Sequence, residues 1–170
     1  MTESVSAWAR ATAERYLRPM GRRWMHVAAA YLHDIGYAPD LAVTGFHPLD
    51  GGRFVRAQGH ELLARLVAHH SGGRREAELR GIDGYCEEFP FGDGPLDHAL
   101  TFCDLTTGPD GTPVSLPYRV REITERYGPN SVVAQAITAG VPEFQRACRL
   151  TEERVAAEAV QRIAGSSSLR

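Results

Sequence analysis

The 170-residue sequence predicts an all-α, single-domain helical bundle. Apolar residues recur three or four apart in each long segment between turn signals, as a buried helix face requires. No alternation of period two runs long enough to make a useful strand. The breaks between periodic segments are marked by Pro and Gly.

Residues 4–18 place Val5, Trp8, Ala9, Thr12, Tyr16 and Leu17 at helical spacing before Pro19, so a first amphipathic helix should end near Arg18. Residues 22–35 form a second helix, with Trp24, Val27, Ala28, Tyr31, Leu32 and Ile35 as its apolar set. Residues 39–48 read as a loop. Pro48 suits the first turn of a short helix running to Gln58, where Gly59 interrupts. Leu62, Leu63, Leu66 and Val67 mark a helix that ends at His69-His70-Ser71-Gly72-Gly73. The Gly-rich, acidic span 72–95 holds one or two short helices, and residues 96–105 are helical. Three prolines and the glycines of 108–117 make a loop, and 118–127 is a helix of mixed charge. From Ser131 to about Ile163 the chain reads as helix, with an interruption expected at Gly140-Val141-Pro142.

Apolar residues at 43% and charged residues at 24% are ordinary for a globular protein, and the length suffices for a core without disulfide or metal staples. A net charge of -2 gives no global attraction to nucleic acid or anionic membrane. All 19 basic residues are Arg, so any side-chain cation meeting a phosphate is a guanidinium. The odd number of cysteines and the lack of an apolar leader favour a reducing cytoplasm. No segment approaches the ~20 apolar residues of a membrane span.

The chemistry concentrates in a few places. His33 and Asp34 follow the apolar run Val27–Leu32 and precede Gly36. Adjacent helical side chains diverge by about 100°, so burying one of this pair leaves it needing a partner. A divalent cation can accept imidazole nitrogen from one and carboxylate oxygen from the other where the helix loosens toward Gly36. The alternative is an incidental polar helix end. Further along, His47 opens His-Pro-Leu-Asp-Gly, His69 and His70 close an apolar helix, and Asp104 closes another.

Together these segments resemble the HD-domain metal-dependent phosphohydrolases, in particular small stand-alone bacterial HD proteins, over roughly residues 22–110. The order His-Asp, His, His-His, Asp is the ligand order of that family's richer sites. The resemblance implies an HD-type bundle with a core at about 22–110 and C-terminal helices at 118–163. It implies His33, Asp34 and Asp104 as catalytic metal ligands. It also implies that His47, His69 and His70 bind a second ion or hold phosphate. One imidazole with two carboxylates suits Mn, Fe, Co, Ni or Mg, and such an ion can neutralise a phosphoryl group and activate water. The substrate implied is a small phosphoester, nucleotides included.

The family's first ligand is a His on an earlier helix, and the candidate here is His26, only seven residues before His33. Seven helical residues span ~10.5 Å, whereas two nitrogens on one ion lie at most ~4 Å apart. Three alanines and no breaker between them favour an unbroken helix, which would keep His26 away from the ion and leave the vacancy to water or His69. Arg53, Arg74 and Thr107 are candidate substrate contacts, and Asp50 could orient His47 or cap a helix. Arg119, Arg121 and Arg126 alternate with Glu122 and Glu125, the pattern of a solvated, ion-paired face. Cys103 reads as a small core residue rather than a nucleophile. No Gly-rich phosphate loop with Lys, Cys-x-x-Cys or Gly-x-Ser-x-Gly is present. Two functions follow: a metal-dependent phosphohydrolase, or a binding or structural module of the same fold whose shortened His26–His33 interval impairs catalysis.

Overall fold

A computed structural model describes residues 25–167, with side chains described as far as 161. Its helices are α1 (Met25–Leu32), α2 (His47–Ala57), α3 (Glu61–His69), α4 (Gly73–Arg80), α5 (Tyr85–Glu88), α6 (Pro95–Leu105), α7 (Leu116–Tyr127) and α8 (Val132–Ser167). Single 3-10 turns at Ile35–Tyr37 and His70–Gly72 follow α1 and α3. The described residues contain no strand, so the fold is all-α. The helix expected over 4–18 lies outside them, as do the first residues of the helix expected over 22–35.

α3 is the central element and packs on α1, α2, α4 and α6. Its buried face, Leu63, Ala64, Leu66, Val67 and Ala68, meets Ala28, Ala29 and Leu32 of α1 and Leu49 and Val55 of α2 in the main core. A second apolar cluster, Leu105, Leu116, Ile123, Ile137 and Phe144, joins α6, α7 and α8. The candidate site residues fall at helix ends. Asp34 follows α1, His47 starts α2, His70 follows α3, and Asp104 lies one residue from the end of α6.

Each end has a local cause. His33 N–H closes the last turn of α1 on Ala29 at 2.8 Å, and Asp34 leaves helical geometry at φ −95°, ψ 9°. Tyr37 and Ala38 then donate to Asp34 and Ile35 in the 3-10 turn. Asp50 accepts from the backbone N–H groups of Val43 and Thr44 at 3.0–3.1 Å, so it clamps the loop before α2. Those bonds, not His47, account for its buried carboxylate. Ser71 reverses the chain after α3 with φ 46°, unusual for a side chain other than Gly.

α8 departs from expectation. It runs unbroken through Gly140-Val141-Pro142. An interior Pro removes one helical bond and costs about 3 kcal/mol. Burial on one face continues across it, with Ala134, Ala136 and Ile137 before Pro142 and Phe144 and Ala147 after, while Pro142 itself is exposed. Packing on both sides offsets the local penalty. No helix among the described residues is long and apolar enough to cross a membrane.

Gly36 holds the α1 and α2 ends together. A Cβ there would lie 2.0 Å from the His47 carbonyl oxygen and 2.7 Å from Gly51 N, both backbone atoms. Gly36→Ala is therefore expected to destabilise the fold by about 2–4 kcal/mol, measured by chemical denaturation with an unchanged denaturant slope. A loss under about 0.5 kcal/mol, the range of neutral surface substitutions, would contradict this packing.

Candidate metal centre

Asp34 sits at the meeting point of three imidazoles. Its Oδ1 is 3.4 Å from His47 Nε2 and 3.4 Å from His70 Nε2, and those two nitrogens are 3.1 Å apart. Its Oδ2 is 3.4 Å from His33 Nε2, which in turn faces Asp104 Oδ1 at 3.6 Å. The two arrays share one carboxylate.

The backbone decides where the imidazole protons are. His70 Nδ1 lies 2.6 Å from the Val67 carbonyl and His33 Nδ1 lies 2.8 Å from the Ala30 carbonyl. A carbonyl only accepts, so both Nδ1 atoms carry hydrogen, and in the neutral rings the Nε2 lone pairs point at carboxylate oxygen. Lone pairs facing lone pairs repel unless a proton or a metal ion lies between them. A backbone acceptor on the far ring nitrogen is also the usual support of a metal-bound histidine.

The spacings fit such an ion. Donor atoms at ~2.1 Å from a metal lie ~3.0 Å apart along an octahedral edge and ~3.4 Å apart along a tetrahedral one. Asp34, His47 and His70 each offer one ligand atom, all within 4.8 Å of one another. Two imidazoles and a carboxylate suit borderline first-row ions.

Without an ion, protons must do the work. The surrounding protein disfavours a charged His33, but its hydrogen bond to Asp104 and the charges of Asp104 and Asp34 outweigh this and raise its pKa to about 9. Desolvation pushes the Asp34 carboxyl up, yet the contacts from His47 and His70 and the charge of His33 hold it well below the usual range. The same opposition depresses Asp104, where burial is outweighed by His33 and Ser71. Burial lowers His47 against the pull of Asp34. Ser71 donates its hydroxyl to Asp104 Oδ2, and the Tyr37 ring stacks on His47 at 3.9 Å.

The expected residues divide accordingly. His33, Asp34, His47, His70 and Asp104 come together. His69 does not. Its Nε2–H donates to the Phe89 carbonyl at 2.5 Å, its ring packs edge-on to Tyr85 and Phe91, and burial lowers its pKa. The chain leaves helical geometry at His70, with ψ 146°, so the neighbouring rings diverge. The ligand assignment of His69 is thereby corrected: it is a core histidine. His26 is exposed, two turns before His33 on the unbroken α1, and is likewise not gathered in.

Among the substrate candidates, Arg53 is engaged outside the site by a two-pronged bond to Glu88 at 2.7–2.8 Å. Arg74 stacks on Phe91 at 4.4 Å and faces Glu143, again outside the site. Neither guanidinium reaches the cluster. Thr107 does line a cavity of about 350 Å³ that opens on His33, Asp34 and Asp104. A second cavity of about 150 Å³ opens on Asp34, His47, His70 and Asp104 from the other side. Cys103, expected as a small core residue, is instead exposed on the wall of the larger cavity; local desolvation and Asp104 push its thiol up, which keeps it protonated.

Sequence reading missed Ser71 and Arg119. Arg119 was expected on a solvated face. Its side chain is instead only 12% exposed and lines both cavities. The pattern Arg119-Glu122-Arg126 does pair as expected, with Glu122 bonding both arginines, yet at the site. Compared with protein-family models, curated proteins and solved structures, the chain matches none.

The raised His33 pKa has a measurable consequence. A group whose folded pKa exceeds its unfolded value of about 6.5 stabilises fully below that value and loses the effect as pH rises through the folded pKa. Chelator-treated protein should therefore lose thermal stability between about pH 6.5 and 9, and His33→Gln should flatten this slope. A wild-type melting temperature constant over that range would contradict the proton assignment.

Proposed function

We propose that this protein is a divalent-metal-dependent hydrolase of a small phosphoester. The observation that carries the proposal is the set of imidazole and carboxylate atoms spaced 3.1–3.4 Å apart around Asp34. The resemblance to HD-type phosphohydrolases supplies the reaction class and supports the same reading.

Asp34 Oδ1, His47 Nε2 and His70 Nε2 would hold the ion, and Asp34 Oδ2, His33 and Asp104 adjoin it as ligands of a second ion or as proton-holding groups. A bound ion would neutralise phosphoryl charge and bring water toward hydroxide near neutral pH. The chain's own residues do the rest. Val67 and Ala30 carbonyls hold two of the imidazoles in one tautomer. Ser71 orients Asp104 by donating to one oxygen, which leaves the other facing His33. His33 Nε2 lies between two carboxylates, where it can hold a proton and pass it to a leaving alkoxide. The two cavities give water and the organic group separate approaches to the centre.

Purified protein should hydrolyse a general phosphomonoester such as p-nitrophenyl phosphate with Mn²⁺, Co²⁺ or Ni²⁺ and lose the activity with chelator. Asp34→Ala should remove both activity and metal uptake while helicity persists. Hydrolysis that survives chelation, or an Asp34→Ala variant with full metal content and turnover, would refute the assignment. Metal uptake without hydrolysis of any phosphoester would favour the binding-module alternative.

A further inference from the structure

Resting on the metal-dependent reading above, we propose that Arg119 is the phosphoryl-binding residue. The substrate class is then a phosphomonoester whose organic part is compact, uncharged and largely apolar. Arg119 reaches from α7 to the boundary between the two cavities, beside Asp34 and Asp104. Only one edge of its guanidinium is committed: Nη1 donates to Glu122 at 2.6 Å. Nε is buried and donates to nothing, and Nη2 stands 3.9 Å from Asp104 Oδ1, beyond hydrogen-bond reach. Nε and Nη2 form the side edge of the guanidinium, which takes two oxygens of a phosphate or carboxylate at once. Leaving a buried charged donor unfilled costs free energy that an incoming oxyanion recovers. Glu122, which also bonds Arg126, tethers the far edge and holds the guanidinium in place.

The larger cavity defines what else the ligand carries. Ala30, Leu100, Cys103 and Pro109 line it with Thr107 as a polar contact, and about 350 Å³ accommodates a ring-sized group. Its acidic groups are Asp34 and Asp104, and among its described lining residues Arg119 is the lone Arg. A second phosphate or carboxylate on the organic part would meet those carboxylates and would have to compete with the reacting phosphoryl group for Arg119 and His33.

The test uses the full chain loaded with Mn²⁺ and two non-hydrolysable probes, phenylphosphonate and 4-carboxyphenylphosphonate, with binding read by calorimetry and by paramagnetic broadening of the ³¹P signal. Arg119→Gln should weaken phenylphosphonate about 10- to 100-fold, as loss of a charged two-pronged contact does. Mn²⁺ content and melting temperature should hold, and Arg119→Lys should recover only part of the affinity. If Arg119→Gln fails to fold, the Arg119→Lys comparison alone decides. Affinity equal to wild type in either variant overturns the proposal while leaving the metal centre standing. Wild-type protein that takes up no Mn²⁺ overturns the functional reading first. Tighter or equal binding of the carboxylated probe overturns the assignment of an uncharged organic group.

Discussion

The carboxylate of Asp34 is the constraint around which the molecule is arranged. Three imidazole nitrogens converge on it at 3.4 Å, and at least two cannot carry their proton on the facing nitrogen while neutral, because a carbonyl holds it on the other side. Such a set repels itself unless a proton or a metal ion lies between its members. The fold keeps it anyway, because each member is fixed by backbone that serves another purpose. His33 and Asp34 terminate α1, His47 begins a helix whose carbonyl leaves no room for a side chain at residue 36, and His70 ends the central helix of the core. The two apolar clusters thus fix the backbone that brings these side chains together.

The same geometry explains why the short His26–His33 interval does not leave the centre poor in ligands. A seven-residue helical separation keeps His26 on the surface, one end of α1 away from the cluster. His47 and His70 provide two imidazoles from other helices, so the gathered donors become two nitrogens and an oxygen around Asp34 Oδ1, with His33 and Asp104 beside Oδ2. A cation held there would meet more nitrogen than the His33-Asp34-Asp104 set alone offers.

Most of the fold was legible because its helices are amphipathic and its loops are marked by Pro and Gly. Pro142 misled because a local penalty of a few kcal/mol is visible in sequence, whereas the burial of Ile137 and Phe144 on either side of it is not. Asp34 stands out as a carboxylate beside an imidazole at the end of an apolar run, whereas His47 and Asp104 are picked out by the resemblance in ligand order. The choice between His69 and His70 could not, since it depends on one ψ angle at the end of α3 and on which carbonyl each ring finds. Arg119 was hidden by its own charge pattern. An i, i+3, i+7 array of Arg and Glu looks the same whether it faces water or a cavity, and only the packing of α7 and α8 decides.

His69 and His70 therefore separate the account from its alternatives most cleanly, being adjacent, both buried and chemically identical. The decisive measurement is equilibrium titration of chelator-stripped protein with Co²⁺, comparing wild type with His70→Ala and His69→Ala. Loss of one ligand should weaken binding in His70→Ala by at least about 10-fold, while His69→Ala should bind Co²⁺ as wild type does and lose only fold stability. Equal affinity in His70→Ala and wild type, or a weakening confined to His69→Ala, would contradict the centre described above.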